Sequence, residues 1–421
     1  MSQKLRYGFR GRPEYNLSKV AGVSPDHLLS KLEVKKVMKP EEVKVFQGSI
    51  PSLKKMHCRG LRKDLKTSQF RKSSWVRRTD MKNLGLDIGT KHIVMSFREG
   101  DEVKYRHEIN GYLVFDKVDH FLEQLLVKQG VPYVMRGKEI IAIGSKAEQL
   151  AYVMNRTLRR PMAEGGLNKN DEDAQEIVAI IIKSIIGKLQ DDCTLYYCTT
   201  AKPINNDNLN IEFHKKVVKL IIESYVQEKE SINAFHINEA RCLVIEEQGC
   251  AIGISWGAGT ITVHVGMFGV PIFEFCVVGA GDQIDIETAK RFGYDPSKPD
   301  MPSRETPTSV CRKKEKIDLS KVYDDKVSQA ICLMYEIIIE NIVAGIIDGF
   351  NANRDKFKFD QPIPIINAGG TSMPIGFVNL FKKKLDDRKS DIFIPLGDVR
   401  MSPDPLFAVA RGCLLAAEMH K

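Results

Sequence analysis

Three glycine-bearing segments decide the fold of this chain: Leu84-Gly-Leu-Asp-Ile-Gly-Thr90, Ala251-Ile-Gly-Ile-Ser-Trp-Gly-Ala-Gly-Thr260 and Ile365-Ile-Asn-Ala-Gly-Gly-Thr371. Each segment runs from an apolar strand into a turn that is rich in Gly and Thr. Such turns expose backbone N–H groups, which bind phosphate oxygens well. One turn of this kind is common and says little. Three in this order and at this spacing predict one nucleotide held between two domains.

Composition places most of the chain among globular proteins. A length of 421 residues is enough for two or more domains with their own cores. The sequence is 43% hydrophobic and 28% charged, as in globular proteins. The nine cysteines include no C-x-x-C pair, so we expect buried thiols in a reducing compartment and no zinc site. No run reaches the ~18 apolar residues of a membrane span, and the N-terminus has no apolar signal core. We therefore expect a cytoplasmic protein, which could lie peripheral to the inner membrane.

The basic residues are concentrated at the N-terminus. Residues 1–82 carry 21 Lys and Arg against 7 Asp and Glu, whereas the remainder is mildly acidic. Weak periodicity predicts a mostly disordered arm over residues 1–80, with a short helix from Ser24 to Met38. The arm could bind anionic membrane or nucleic acid, or serve as a solvated tail for an acidic partner. It could also be absent from the mature protein, because Met81 would make a natural start.

From Met81 onward, strands and helices alternate, which predicts a mixed α/β fold with two similar halves, each holding a sheet with a hairpin turn at one end. Asp171 is expected to cap a helix that runs to Leu189, and another helix is expected to begin near Glu239. Residues 293–318 are predicted to form a loop or a reduced subdomain. The main predicted strands are Leu84–Ile88, Ile93–Phe97, Glu139–Ile143, Leu195–Thr199, Phe235–Ile237, Cys250–Ser255, Thr260–Val265, Val270–Val278 and Ile363–Ile366. The other predicted helices are Asn210–Gln227, Asp282–Phe292, Val322–Gly349, Pro374–Asp386 and Pro405–Ala417.

The ordered set of motifs resembles the actin-like ATPase superfamily, which includes actin, the MreB-like bacterial actins, sugar kinases and the heat-shock chaperones. The first segment is similar to the first phosphate loop of that superfamily, the second to its second phosphate loop, and the third to its adenosine loop. Arg160-Pro-Met-Ala-Glu-Gly-Gly166 resembles a turn of the MreB-like proteins. Ile237-Asn-Glu239 and Val278-Gly-Ala-Gly-Asp282 resemble two connectors of the family, and residues 402–412 resemble its closing helix.

The resemblance implies a site for ATP and Mg²⁺ in a cleft between two actin-like, ribonuclease-H-like domains. Glu239 would be the catalytic residue that orients the attacking water, and Asp87 would hold Mg²⁺ through water. The implied nucleotide-binding residues are Asp87, Gly89, Thr90, Lys91, Gly257, Gly259, Thr260, Gly281, Asp282, Gly369, Gly370 and Thr371. Arg304, Glu305 and Arg312 are weaker candidates for the adenosine side.

Several residues depart from the family pattern. Ser255 stands where the second phosphate loop usually has Asp, so ordering of a metal at that position should weaken. Trp256 adds bulk next to a glycine turn, and Ala240 and Arg241 replace the usual Pro and small residue. These departures put hydrolysis in doubt more than nucleotide binding.

The resemblance also implies a domain organisation. Residues 81–200 would form the first actin-like domain with a small inserted subdomain, and 201–400 the second, with a reduced insert near 293–318. Residues 401–421 would form a closing helix that packs back on the first domain.

Two functions are compatible with this pattern. The first is a slow, divergent, MreB-like ATPase of the cytoskeleton that forms or scaffolds filaments by self-association. The alternative is a monomeric nucleotide-gated adaptor or pseudo-ATPase that recruits partners through the basic arm. A chaperone is less favoured, because the sequence has no β-rich segment after the closing helix.

Overall fold

The alternating apolar segments after residue 81 form two five-stranded sheets. A computed structural model describes residues 82–420 apart from 117–119, 155, 188–191, 208, 227–231, 248, 299–300, 357 and 360. The expected arm and its short helix lie outside the described residues. The strands are β1 (Asn83–Ile88), β2 (His92–Glu99), β3 (Glu102–Ile109), β4 (Tyr112–Phe115), β5 (Tyr133–Arg136), β6 (Glu139–Ile143), β7 (Met162–Ala163), β8 (Gly166–Leu167), β9 (Cys193–Thr199), β10 (Ile232–Asn238), β11 (Cys250–Trp256), β12 (Thr260–Met267), β13 (Val270–Val278), β14 (Ile363–Ala368) and β15 (Leu396–Met401).

The helices that cover these sheets are mostly amphipathic, with apolar residues at the spacing of one helical face. They are α1 (His120–Gln129), α2 (Gly144–Val153), α3 (Ala174–Ile186), α4 (Ile211–Val226), α5 (Gly281–Arg291), α6 (Pro307–Lys314), α7 (Lys326–Ala352), α8 (Phe377–Asp387) and α9 (Ala408–Met419). Within the described residues, only α7 is long and apolar enough to cross a membrane, and 61% of its most apolar window is buried inside the protein. Burial of that kind is typical of a core helix.

The two large sheets have the same strand order. The first sheet runs β10-β9-β1-β2-β3 and the second runs β15-β14-β11-β12-β13. In each sheet an antiparallel three-stranded meander is followed by two parallel strands. The prediction of a mixed α/β fold with two similar halves is therefore confirmed.

The register within the sheets places Ser255 at the position that Asp87 has in the first sheet. Asp87 pairs with Val94 across the first hairpin and with Cys198 in the parallel neighbour. Ser255 pairs in the same way with Thr262 and Ala368. The two halves thus present equivalent positions at equivalent strand ends.

A third sheet, β4-β6-β5, lies between β3 and β9 in the chain and has its own small core with α1 and α2. The larger cores belong to the two halves, and a further cluster joins them through α9. Gly85 of β1 lets α9 approach closely, because a Cβ there would lie 2.2 Å from the Ala410 carbonyl oxygen. Ser96 Oγ donates a hydrogen bond to the same oxygen at 2.6 Å.

Asp171 lies just before α3, which begins at Ala174, and it caps the turn that leads into the helix: its Oδ1 accepts from the Asp173 N–H and its carbonyl oxygen from the Ala174 N–H, both at 3.1 Å. Its carboxylate also accepts hydrogen bonds from Tyr112 Oη and Arg159. The prediction of a helix that begins near Glu239 is wrong. Only a short 3₁₀ turn, Arg241–Val244, follows Glu239.

The sheets also bear on the predicted boundary at residue 200. Strand β10 pairs with β9 in the first sheet, so the change from the first sheet to the second comes after β10. The division into domains otherwise stays a prediction. Residues 293–318, expected to be a loop or reduced subdomain, contain α6, which is capped by Thr306 and has Pro307 at its first position.

Candidate functional site

The two hairpin turns at the ends of β1 and β11 have the same hydrogen bond. Gly89 N–H donates to His92 O at 2.9 Å, and Gly257 N–H donates to Thr260 O at 2.9 Å. A Cβ on either glycine would lie within 3 Å of that carbonyl oxygen. Both turns therefore require glycine, which explains why the two motifs read alike in the sequence.

The turns face each other in contact. A Cβ on Gly259 would lie 2.6 Å from Thr90 Oγ1 and 2.7 Å from the amide nitrogen of Gly165. Gly165 belongs to the turn between β7 and β8, and its N–H donates to Thr90 Oγ1 at 3.2 Å. Three backbone turns from different parts of the chain thus meet at one point.

The second turn is also held by the two glycine segments that follow it in the chain. Asp282 N–H donates to Ala258 O at 2.8 Å, and Thr371 Oγ1 donates to Gly257 O at 2.7 Å. Gly369 has a φ of +98° and lies against the backbone of Trp256. A Cβ on Gly369 would lie 2.4 Å from the carbonyl oxygen of Trp256. These contacts bring the third glycine segment to the same place as the first two.

A cavity of about 390 Å³ opens between these turns. Its volume is within the range of small-molecule sites. The implied catalytic residue, Glu239, lines this cavity, and so do the twelve implied nucleotide-binding residues: Asp87, Gly89, Thr90, Lys91, Gly257, Gly259, Thr260, Gly281, Asp282, Gly369, Gly370 and Thr371. Ser255 lines it too.

Asp87 is a buried carboxylate that accepts a hydrogen bond from a thiol. Cys198 Sγ donates to Asp87 Oδ1 at 3.3 Å. Burial raises the pKa of Asp87 to about 6, and the Cys198 hydrogen bond partly offsets that effect. Among the described residues, no Lys or Arg forms an ion pair with Asp87.

Glu239 lies close enough to Asp87 for the two carboxylates to repel each other. Burial, and then the charge of Asp87, raise the pKa of Glu239 to about 8. Thr262 Oγ1 donates to Glu239 Oε1, and Thr200 Oγ1 lies 2.6 Å from Thr262 Oγ1. Glu239 therefore binds a proton near neutral pH and has a hydroxyl chain beside it.

The wall of the cavity carries more carboxylates than cations. Five acidic side chains and two lysines line it. A polyphosphate would add negative charge to this wall, so its binding there calls for a metal cation. The acidic residues are Asp87, Glu239, Asp282, Asp285 and Glu315, and the lysines are Lys91 and Lys314.

The arrangement fits a cation held through water and shared with phosphate oxygens. No group of three or more metal-ligating side chains lies together in the part of the chain that the structure describes. A cage of protein ligands is therefore not indicated, whereas Mg²⁺ commonly keeps several waters and takes only one or two carboxylates. Asp87, a buried carboxylate with no ion-pair partner among the described residues, is the candidate for this role.

Three residues that line the cavity each have a buried polar atom with no partner within the described residues. These atoms are Nδ1 of His92, Oδ1 of Asp285 and the hydroxyl of Tyr335. Asp285 Oδ2 accepts from Lys314 at 2.8 Å, and burial raises the pKa of this carboxyl to about 6. Buried polar groups without partners are uncommon in proteins, so these atoms are candidates to contact a polar ligand.

The three residues in and before α6 that the sequence suggests for the adenosine side lie away from the cavity. Arg304 lies 5.7 Å over the Phe292 ring, Glu305 accepts from Lys313, and Arg312 lies 3.7 Å over the Tyr152 ring. The residues of this region that do line the cavity are Cys311, Lys314 and Glu315, which share one face of α6 and its cap at helical spacing.

Trp256 does not crowd the site. Its side chain is fully buried in the second core, packs edge-on against Phe377 and Phe381, and donates from Nε1 to Asn367 Oδ1 at 2.8 Å. The expectation of bulk at the glycine turn is wrong because successive residues of a strand point to opposite faces.

Comparison with known proteins agrees with this architecture. The volactin family model matches residues 81–417. The chain belongs to the volactin family. A search of the curated proteins gave no match.

Among solved structures, a MamK double helical filament is similar over 80% of this chain and 99% of that chain, with 17% identity and a TM-score of 0.56. A non-polymerising MamK mutant bound to AMPPNP matches over 80% and 98%, with 18% identity and a TM-score of 0.45. The first similarity shows that the fold is actin-like, as the sequence motifs predict.

Proposed function

We propose that this chain binds ATP together with Mg²⁺ in the cavity, hydrolyses it slowly and assembles into filaments. The observation that carries nucleotide binding is the pair of glycine turns that face each other across Thr90 and Gly259. Backbone amides in such turns suit the β- and γ-phosphates, as they do in other phosphate sites. The unpartnered Tyr335 hydroxyl and the Asp285 oxygen suit the polar groups of a nucleoside.

Hydrolysis would follow from the position of Glu239. Its carboxylate would accept a proton from a water that attacks the terminal phosphorus, and the bond to the leaving diphosphate would then break. Thr262 and Thr200 would hold Glu239 and the water in place. Asp87 would hold Mg²⁺ through water, and the ion when bound neutralises charge on the phosphate oxygens.

Turnover should be slow because of two features. Ser255 leaves the second strand end without the carboxylate that its counterpart Asp87 provides. Glu239 is largely protonated near neutral pH, so only a fraction can act as a base.

Filament assembly is proposed from the actin-like fold and from the similarity to a protein described as a double helical filament. The alternative is a monomeric nucleotide-gated adaptor. Ser255 favours this alternative, because an adaptor that hydrolyses ATP slowly would change its nucleotide state only rarely. Both functions use the same cavity.

Sedimentation with and without Mg-ATP over a range of protein concentrations separates the two. We expect pelleting above a critical concentration that depends on nucleotide. A chain that stays monomeric under every condition would exclude filaments and leave the adaptor.

A further inference from the structure

Three carboxylates of the cavity wall form ion pairs that differ in exposure. The Lys314–Asp285 pair is buried, with 9% and 6% of the side chains exposed. The Arg160–Asp282 pair is doubly hydrogen-bonded, at 2.8 and 2.9 Å. The third pair joins Lys91 Nζ to Glu315 Oε1 at 3.0 Å, and 57% of the Glu315 side chain is exposed.

The two members of this third pair are held to different degrees. Lys91 lies in the first turn, only 20% exposed, and also contacts Cys311 Sγ at 3.4 Å. Burial disfavours its ammonium, but Cys311 and Glu315 outweigh that effect and raise the pKa of Lys91 above its usual range. Glu315 is the C-terminal cap residue of α6, and its carboxylate can turn into solvent. Glu315 is therefore the residue of this ion pair whose side chain can move away from its partner.

We propose that Glu315 is a displaceable counter-ion of Lys91, which the phosphate oxygens of a nucleoside polyphosphate replace. Without nucleotide, Glu315 neutralises a cation next to Thr90 in a wall that is otherwise rich in paired charges. When phosphates enter, they take the same ammonium, and the carboxylate moves into water. This inference rests on the proposed nucleotide binding and names a residue that sets its affinity.

A double-mutant cycle tests the exchange. Titration calorimetry would measure the affinities of ADP, ATP and adenosine, each with Mg²⁺, for the full chain and for Glu315→Gln, Lys91→Met and the double variant. Glu287→Gln is the matched control, because it removes an equal charge from a surface pair with Lys290 in the same half, away from the cavity.

The exchange predicts that Glu315→Gln binds ADP and ATP about fivefold more tightly, the size of effect expected for a partly exposed ion pair. Adenosine, which lacks phosphate, should bind with unchanged affinity. In the Lys91→Met background, Glu315→Gln should change nothing.

Several outcomes would overturn the inference. Unchanged or weaker binding by Glu315→Gln would show that Glu315 does not compete with phosphate. An equal gain with Glu287→Gln would assign the effect to overall charge, and a gain that persists with Lys91→Met would assign it to another cation. If the unaltered chain bound no nucleotide at all, the proposed function itself would fail, which is a distinguishable result.

Discussion

Single residues decide how well the cavity could work as an ATPase, and Ser255 is the clearest case. Its register equivalence to Asp87 means that one strand end carries a carboxylate and the other does not. We expect Ser255→Asp to raise ATP turnover and to make it more dependent on Mg²⁺, because the added carboxylate gives the ion a second anchor. Phosphate release measured against Mg²⁺ concentration checks this. Ser255→Asn, of similar size but neutral, should give no gain, and unchanged or lower turnover in Ser255→Asp would refute the assignment.

The protonation of Glu239 gives a prediction for pH. An acid with a folded-state pKa near 8 is mostly protonated at pH 7 and becomes a competent base as the pH rises. Turnover should therefore increase through about pH 8, with the slope lost in Glu239→Gln. Initial rates measured across this range test it, and a rate that is flat or falls with rising pH would contradict the role of Glu239 as base.

The raised pKa values of Asp87 and Glu239 also make the free energy of unfolding depend on pH. Asp87 and Glu239 bind protons more tightly in the folded state than in the unfolded state. These two carboxyls thus contribute a fall in the free energy of unfolding as the pH rises from about 4 to about 8, whereas His92, His214 and His236, whose pKa burial lowers to about 4, contribute a rise up to about pH 6.5. Denaturant titrations in the absence of nucleotide should therefore show that the variant with Asp87→Asn and Glu239→Gln gains stability over the unaltered chain as the pH rises. A difference between the two chains that does not change with pH would contradict the raised pKa values.

Among the elements, two glycines in equivalent positions let neighbouring segments cross the central strands. Gly85 precedes Asp87 by two residues, and Gly253 precedes Ser255 by two. A Cβ on Gly85 would lie 2.2 Å from a carbonyl oxygen of α9, and a Cβ on Gly253 would lie 2.2 Å from Ala240 O. Both contacts are with backbone, which cannot move as a flexible side chain can.

We therefore expect Gly253→Ala to lower the free energy of unfolding by about 3 kcal/mol, the upper end of the usual cost of overpacking a core, because the clash is with backbone. Urea denaturation is the measurement. Gly100→Ala is a suitable control, because its site has open space and only a positive φ, which costs about 1 kcal/mol. Equal losses in the two variants would contradict the close crossing.

The sequence predicted elements well where the pattern is local. The hairpins at Gly89 and Gly257 can be predicted, because the geometry of their turns requires glycine. The helix α6 was missed within 293–318 because only eight residues are helical and their apolar pattern is weak. Without that helix, the shared face of Cys311, Lys314 and Glu315 could not be seen. Tyr335 could not be predicted either, since only tertiary packing brings α7 to the cavity. Asp285 lies three residues after the predicted Asp282, on the same face of α5.

At the scale of the whole molecule, the basic residues and the cavity are separate in sequence. Every residue that lines the cavity lies between Asp87 and Val409, whereas the excess of Lys and Arg lies in residues 1–82. Deletion of residues 1–80 should therefore remove salt-sensitive binding to anionic vesicles and leave nucleotide affinity unchanged. Vesicle co-sedimentation at two salt concentrations, with calorimetry on the same samples, tests this. Loss of nucleotide affinity on deletion would contradict the separation.

The central claim is that the facing glycine turns and the buried Asp87 form one nucleotide site. Calorimetric titration of Mg-ATP into the full chain and into Asp87→Ala tests it most directly, with circular dichroism to confirm that the variant folds. The account predicts saturable, Mg²⁺-dependent binding by the unaltered chain and none by Asp87→Ala. Ordinary affinity in a folded Asp87→Ala variant, or no binding by the unaltered chain, would contradict it.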